Sequence, residues 1–328
     1  MLGRLFRILL TLAVLGGLAA IGGWFYLQDR IAAPGPLAAP RVVVIEKGSS
    51  SAAIGARLER EGVIADDLLF RLALRLDSDT RPLRAGEYEF AASQPIPAVI
   101  DQLRAGRTVI RRFTVPEGLT VAEVLKIVRE VEGLEGEISL RPAEGALLPE
   151  TYHFSLGDSR DSVVQRMRQA MTEALDAAWE KRQQDLPLVS KQEALILASI
   201  VEKETGQPDE RPRVAAVFIN RLRLGMRLES DPTTIYGITK GAGPLDRTLT
   251  RNDVQTPSAY NTYSIPGLPP GPIANPGRAA IEATLNPIKT KDLFFVADGT
   301  GGHAFAETLD QHNRNVANWR RVQRERKK

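Results

Sequence analysis

A predicted apolar helix near the middle of the chain carries two glutamates in its last turn, Glu202 and Glu204. At about 100° per residue, Glu204 follows Ile200 and Val201 on the most apolar arc of that helix, the arc that packs inward. Burial disfavours the charged form of a carboxyl and raises its pKa, which is what a general acid needs near neutral pH. The pattern leaves a second interpretation open, in which Glu204 is a structural carboxylate satisfied by a backbone group or an arginine.

The boundaries of this helix are also encoded locally. Ser190 and Glu193 have the spacing of a capping box at its start, and Gly206 with Pro208 is typical of its end. Glu202 lies on a different arc from Glu204, so the two do not form the facing carboxylate pair of an ordinary glycosidase. If the chain cleaves a glycan, it would use one acid residue, and the substrate could provide the nucleophile.

Composition and motifs exclude several classes of function. The chain has 328 residues, a net charge of +3 and no cysteine, which gives no general case for a nucleic-acid binder and no disulfide support. The histidines, His153, His303 and His312, have no zinc-site spacing, and His303 is predicted to be a hairpin residue. No phosphate-binding or dinucleotide motif is present. We therefore predict no metal and no cofactor.

The N-terminus is predicted to anchor the chain in a membrane. Residues 8–27 form an uncharged apolar run, which as a helix would cross a hydrocarbon core of about 30 Å. Arg4 and Arg7 precede the run and predict a cytoplasmic tail at residues 1–7, with the rest of the chain outside the cytoplasm. Residues 28–40 are rich in Pro and Ala and are predicted to be a linker. A cleaved signal peptide is the less favoured alternative.

The segment between Glu229 and Pro276 is predicted to be poor in regular structure and is rich in Tyr, Asn, Thr, Asp and Pro. Long ordered loops are more often functional than accidental. Aromatic rings suit the flat apolar faces of sugars, and amides and hydroxyls suit sugar hydroxyls. The segment therefore predicts a substrate cleft, with these candidates: Asp231, Tyr260, Asn261 and Tyr263. Packing inside the protein is the alternative for the two tyrosines.

Flanking elements complete an α+β protein. Residues 41–112 alternate short strands and helices and form a small module. Farther along, a long polar helix is predicted near residues 162–182 and an amphipathic helix near residues 209–224. Asn275 and Pro276 have the pattern of a helix start. Residues 293–305 are typical of a hairpin before a final basic helix, capped by Thr308 and Gln311.

Several motifs together resemble the endolytic murein transglycosylase (YceG-like) family. The resemblance extends over essentially the whole chain and is carried by these segments: Ala198–Thr205 (ASIVEKET), Val217–Leu222 (VFINRL), Met226–Thr233 (MRLESDPT), Thr256–Tyr263 (TPSAYNTY), Gly267–Gly271 (GLPPG), Phe295–Gly299 (FVADG) and Gly301–Phe305 (GGHAF). The resemblance implies an N-terminal transmembrane helix, a LysM-like module at residues 41–112 and a transglycosylase domain at residues 113–328.

The same resemblance implies a reaction. Members cleave the β-1,4 bond between N-acetylmuramic acid and N-acetylglucosamine of peptidoglycan within strands, leaving 1,6-anhydro ends, and the second glutamate of the Glu-Lys-Glu motif, here Glu204, is catalytic. It also implies work beside penicillin-binding proteins at the cytoplasmic membrane, limiting the length of new strands. It assigns no comparably firm role to the cleft candidates.

Two other classes of function stay open from the sequence. A non-catalytic peptidoglycan-binding scaffold would not need Glu204. An aminodeoxychorismate lyase, a label that members of the family have carried, would need pyridoxal phosphate, and it fits poorly because no Schiff-base lysine stands out.

Overall fold

A computed structural model describes residues 2–326 as a mixed α+β protein with an apolar N-terminal helix. Met1 of the predicted tail and Lys327 and Lys328 of the predicted basic end lie outside these residues. The chain divides into two compact units. The first comprises the chain up to Arg111 together with 155–157, and the second comprises 112–154 and the chain from Asp158 onward.

Helix α1 (Leu2–Ala32) is long and apolar enough to cross a membrane. It contains the predicted span but continues beyond it, because Ile31 faces the core of the first unit and is 6% exposed. Leu37, at 8% exposed, joins the same core. The segment predicted as a linker, residues 28–40, is therefore partly helical and partly packed.

The rest of the first unit is a strand pair covered by helices. Its elements are β1 (Arg41–Ile45), α2 (Ser51–Arg60), α3 (Asp67–Leu76), β2 (Gly86–Phe90) and α4 (Ile96–Ala105). β1 pairs with β2 antiparallel, with Val43 opposite Tyr88. Ser50 and Asp66 cap α2 and α3 through their side chains. Fully buried Phe70 and Tyr88 lie in the core between these elements.

The second unit is mainly helical. Its elements are β3 (Arg111–Thr114), which enters it from the first unit, α5 (Val121–Glu130), β4 (Thr151–Phe154), α6 (Arg160–Glu180), α7 (Lys191–Glu204), a 3-10 turn (Pro208–Glu210), α8 (Arg211–Arg223), α9 (Asp231–Thr239), α10 (Arg251–Gln255), α11 (Arg278–Leu285), β5 (Phe294–Ala297), β6 (His303–Ala306) and α12 (Leu309–Arg326). β3 with β4 and β5 with β6 form two-stranded sheets, and the second is the predicted hairpin.

Helix α7 lies at the centre of this unit. Every residue from Ala194 to Val201 is buried, and the helix packs against α8 and α11. Ser190 caps its start by accepting the N–H of Glu193, as predicted, whereas the Glu193 carboxylate accepts the N–H of Val189 instead of closing the capping box. Because α7 is buried all round, burial alone does not distinguish the faces of Glu202 and Glu204.

The segment predicted to be poor in regular structure contains two short helices, α9 and α10, and the Asp231-Pro-Thr-Thr run forms the first turn of α9. One local prediction is wrong. Asn275 does not cap α11, whose N-cap is Gly277. Asn275 is fully buried instead, and its amide accepts the Leu147 N–H at 2.9 Å and donates to the Leu119 carbonyl at 2.8 Å. These bonds anchor the chain before α11. Local capping preferences do not reveal such long-range partners.

Candidate active site

Glu204 ends α7 and meets the start of α9. The hydroxyl of Ser230, the N-cap residue of α9, donates to Oε1 of Glu204 at 2.5 Å. Ser230 is 1% exposed, and its hydroxyl makes no capping bond to its own helix. The serine is therefore committed to the carboxyl rather than to the backbone of α9.

Buried hydroxyls hold Ser230 in place. The Ser230 N–H donates to Oγ1 of Thr262 at 2.9 Å, and this oxygen lies 2.8 Å from Oγ1 of Thr233. Thr233 in turn donates to the Ser230 carbonyl at 2.6 Å. All three residues are buried, so the start of α9 is fixed by a closed set of hydrogen bonds.

A buried arginine shapes the preceding turn. Arg221 of α8 donates to the carbonyls of Arg227 and Leu228 and forms an ion pair with Glu229 at 3.1 Å. Glu229 has a positive φ of 54°, which such contacts must support in a residue that carries a side chain. This turn delivers Ser230 to the end of α7.

The surroundings of Glu204 raise its pKa to about 7, and burial is the largest cause. The negative charge of Asp231 acts in the same direction. The Ser230 hydrogen bond and the charges of His303 and Arg221 act in the opposite direction, but they do not outweigh burial. A carboxyl with this pKa is protonated in a substantial fraction of molecules near neutral pH and ionises readily, as an acid and base catalyst must.

Two of the predicted cleft residues lie next to Glu204. The Tyr263 hydroxyl donates to Oδ1 of Asp231 at 2.8 Å. Burial, and then its bond to Asp231 and the nearby charge of Glu204, raise the pKa of Tyr263, so the phenol stays a neutral donor. Asp231 is exposed and Tyr263 is half-buried. Glu204, Asp231 and Tyr263 thus form one accessible cluster.

Asn261 lies beneath this cluster. It is 1% exposed, and its amide donates to the carbonyls of Val254 at 2.8 Å and Thr256 at 2.7 Å. Its side-chain oxygen accepts the Thr234 hydroxyl and the Tyr263 N–H. With these bonds Asn261 supports the loop that carries Tyr263.

Tyr260 lies beside a neighbouring cavity. Its ring packs against Tyr236 of α9, with ring centroids 4.8 Å apart. The Tyr236 hydroxyl donates to Oε2 of Glu144 at 3.2 Å, and burial raises the pKa of Glu144. Tyr236 also borders a cavity of about 370 Å³, whose other walls include Lys203, Pro232, Ile235 and Arg247. Lys203 precedes Glu204 and Pro232 follows Asp231, so the cavity adjoins the carboxylate cluster along both helices.

Glu202 has a different set of partners. Its side chain is 5% exposed, forms an ion pair with Arg211 at 3.3 Å and accepts the Gly277 N–H at 2.9 Å. A carboxylate committed to an arginine and a helix N-terminus is structural, whereas Glu204 receives its one side-chain hydrogen bond among the described residues from a hydroxyl.

Sequence reasoning missed Ser230 and the charge of His303. Ser230 stands within a recognised motif, Met226–Thr233, but a serine before Asp-Pro indicates only a helix cap. His303 is a strand residue, as predicted, yet it also acts on Glu204 from β6. No local signal in the sequence distinguishes these roles.

Comparison with known proteins finds one matching family model and several related transglycosylases. The YceG-like family model matches residues 43–318. An endolytic murein transglycosylase of Bacillus subtilis (strain 168) is 30% identical over 303 residues, which cover 82% of each chain. An endolytic murein transglycosylase of Streptococcus pneumoniae (serotype 2, strain D39) is 28% identical over 92% of this chain and 63% of its own length.

A solved structure agrees with these matches. The crystal structure of a YceG-like protein from Listeria monocytogenes is 30% identical, aligns with 84% of this chain and 98% of its own, and superimposes with a TM-score of 0.52. A family match over most of the chain, together with these relatives, establishes the family. The chain belongs to the YceG-like family.

Proposed function

We propose that the chain is an endolytic murein transglycosylase that cleaves the β-1,4 bond between N-acetylmuramic acid and N-acetylglucosamine inside peptidoglycan strands. Relatives with that name support the reaction class. The observation that carries the mechanism is the environment of Glu204, whose pKa of about 7 and bond to Ser230 suit one group acting first as acid and then as base.

In the first step, neutral Glu204 donates its proton to the glycosidic oxygen as the bond from that oxygen to C1 of the muramoyl residue breaks. The Ser230 hydroxyl holds Oε1 of the carboxyl and leaves the other oxygen for the sugar. We assign the exposed carboxylate of Asp231 the electrostatic role of stabilising the positive charge that develops on the sugar ring.

In the second step, the Glu204 carboxylate takes the proton from the C6 hydroxyl of the muramoyl residue while O6 bonds to C1. The product ends in a 1,6-anhydro ring, and no water is consumed. A pair of carboxylates acting across the bond, as in ordinary glycosidases, is not required because the substrate supplies its own nucleophile.

The remaining cleft residues divide by position. We assign Tyr263 to substrate contact, since it is half-buried beside Asp231. We assign Tyr260, packed on Tyr236, to the wall of the groove, where its ring suits a sugar face. Asn261 positions the loop of Tyr263 through its four hydrogen bonds and does so without touching the sugar.

The domain limits and location are proposals of the same kind. We infer that α1 anchors the chain in the cytoplasmic membrane with the short tail inside, since Arg4 and Arg7 precede the apolar run. The small unit, predicted at residues 41–112, would be a LysM-like module, and residues 113–328 the transglycosylase domain. Its substrate would be nascent glycan strands, shortened beside penicillin-binding proteins.

Mass spectrometry of the products tests the function. The full chain in detergent is incubated with isolated glycan strands, alongside the Glu204→Gln variant and a surface control, Glu173→Gln. We expect fragments of several disaccharides that are one water lighter than reducing-end fragments, and none from Glu204→Gln, because an amide cannot donate the acid proton. The Glu173→Gln variant should cut like the wild type, since Glu173 is exposed on α6.

Other outcomes would change the assignment. Reducing ends would mean that water attacks, which would make the protein a muramidase with Asp231 as its second carboxylate. Early release of single disaccharides would mean an exo-acting enzyme. Strands that bind but stay intact would support the scaffold function instead.

A further inference from the structure

One carboxylate, Glu210, joins the end of α7 to the β5–β6 hairpin. The backbone N–H of His303 donates to Oε1 of Glu210 at 2.8 Å, and Nδ1 of His303 lies 2.7 Å from Oε2. Thr205, the residue after Glu204, donates its hydroxyl to the same carboxylate at 3.3 Å. Glu210 thus ties the imidazole to the chain immediately beside Glu204.

The hairpin turn is built for this close approach. A Cβ on residue 302 would lie 2.6 Å from Oε1 of Glu210, so a side chain larger than that of Gly302 would displace the carboxylate. The Gln207 side chain donates to the Gly301 carbonyl at 3.3 Å and fixes the same turn a second time. The contact between Glu210 and the hairpin is therefore supported by the backbone of the turn and by a second hydrogen bond.

The pair has a defined proton arrangement. Burial raises the pKa of Glu210, but the hydrogen bonds from the His303 ring and backbone outweigh it, and the pKa of this carboxyl lies below its usual value. Glu210 is thus ionised at neutral pH, and the shared proton belongs on Nδ1 of His303. The bond fixes the tautomer and the orientation of the imidazole ring.

The charged groups around the site single out His303. Those that act on Glu204 are Arg221 of α8, Asp231 of α9 and His303 of β6. Those that act with His303 are Glu210, Asp298 and Glu204 itself. Arg221 is held by backbone carbonyls, whereas His303 is held by the carboxylate of Glu210.

We propose that His303, held by Glu210, is a positioning residue that stabilises the Glu204 carboxylate while its proton resides on the departing sugar. The inference rests on the proposed transglycosylase function. When Glu204 gives its proton to the glycosidic oxygen, the charge of His303 acts on the new carboxylate. When the carboxylate takes the C6 proton, the starting state returns, and His303 itself exchanges no proton.

The test is the pH dependence of kcat and kcat/KM on glycan strands, measured for the full-length wild type and its His303→Gln variant. Wild-type activity should fall as pH rises through the pKa of Glu204. Without the charge of His303 the pKa of Glu204 rises, so the alkaline limb of the activity profile should move to higher pH. At pH values below the alkaline limb, kcat should fall about tenfold, because the Glu204 carboxylate loses the stabilising charge of His303 as it forms.

His312 provides a matched control. It lies on α12 with its ring 5.2 Å from that of Phe294, and it is not among the groups that shift the pKa of Glu204. The His312→Gln variant should keep the wild-type limb. The Glu210→Gln variant should shift the limb in the same direction as His303→Gln, and the double variant should be no slower than His303→Gln alone, because the two residues act as a unit.

A His303→Gln protein with the wild-type limb would overturn the proposal, even if kcat falls equally at all pH values, since a uniform loss marks a merely structural contact. If that variant fails to fold by thermal melting, the Glu210→Gln profile decides in the same way. Wild-type protein that leaves all strands intact would refute the transglycosylase function itself.

Discussion

The Glu204 carboxyl lies between groups that shift its pKa in opposite directions. Burial and Asp231 raise the pKa, while Ser230, His303 and Arg221 lower it, and the balance is a pKa of about 7. The acid must be protonated before it meets the sugar. Activity in kcat/KM should therefore be present below this pKa and lost as pH rises through it.

Removing the Ser230 hydroxyl should move this alkaline limb. The Ser230 bond lowers the pKa of Glu204, so Ser230→Ala should raise that pKa and extend activity to higher pH. Activity below the limb should fall about tenfold, since the carboxyl loses the group that orients it. Titration of kcat/KM for both proteins measures the shift, with the exposed Ser78→Ala as control. A limb displaced to lower pH would contradict the assigned bond.

The raised pKa of Glu204 also makes a prediction for stability. A carboxyl with a higher pKa in the folded state than in the unfolded state destabilises the fold progressively as pH rises above the unfolded value, and the penalty is complete above the folded value. Glu204→Gln should therefore melt at the same temperature as the wild type at pH 4 and at a higher temperature at pH 8. We expect a gain of roughly 1–3 kcal/mol at pH 8. Equal melting at both pH values would show that burial does not strain this carboxyl.

The junction of α7, α8 and α11 is held by one ion cluster around the largely buried Arg211. Arg211, at the start of α8, bonds both Glu117 at 3.0 Å and Glu202 at 3.3 Å, and Glu202 also accepts the Gly277 N–H before α11. The role of this ion cluster at the site is indirect, because the cluster fixes the last turn of α7, from which Glu204 projects.

Breaking this cluster should cost stability without removing the acid. Arg211→Ala leaves Glu202 buried without its cation and should destabilise the protein by about 3–5 kcal/mol. Glu202→Gln should cost about 1–3 kcal/mol and retain cleavage, because the amide still accepts from Gly277. Urea denaturation and strand cleavage measure the two effects, with Glu173→Gln near the wild type in both. If folded Glu202→Gln protein were as inactive as Glu204→Gln, the assignment of Glu204 as the single acid would be wrong.

For the molecule as a whole, the boundary of the anchor is the testable feature. Deleting residues 1–27 removes mostly exposed apolar helix, together with the partly buried Leu27, and keeps Ile31 and Leu37 in the core of the first unit. Deleting residues 1–40 removes both side chains, at a cost of about 2–5 kcal/mol for each. The longer deletion should therefore lower the melting temperature of the first unit well below that of the shorter one. Equal melting temperatures for the two deletion variants would show that residues 28–40 act only as a linker, as the sequence predicts.

The sequence by itself determined the features that depend on neighbouring residues. The apolar run of α1, the Ser190 cap of α7, the strand at residues 41–45 and the hairpin before α12 all follow from periodicity, capping and turn chemistry. Its motifs also identified the family that the comparisons establish. Periodicity and capping involve residues a few positions apart, so they can be recognised without knowledge of the fold.

Only the tertiary structure decided which partner each buried polar group meets. Both glutamates at the end of α7 are largely buried, but Glu202 meets Arg211 whereas Glu204 meets Ser230, which lies 26 residues farther along the chain. Asn275 has the local pattern of a cap, yet it is drawn into the core by the backbone of Leu147. A buried polar group must find a partner wherever the fold supplies one, and in this protein those partners come from distant segments whose approach no local pattern encodes.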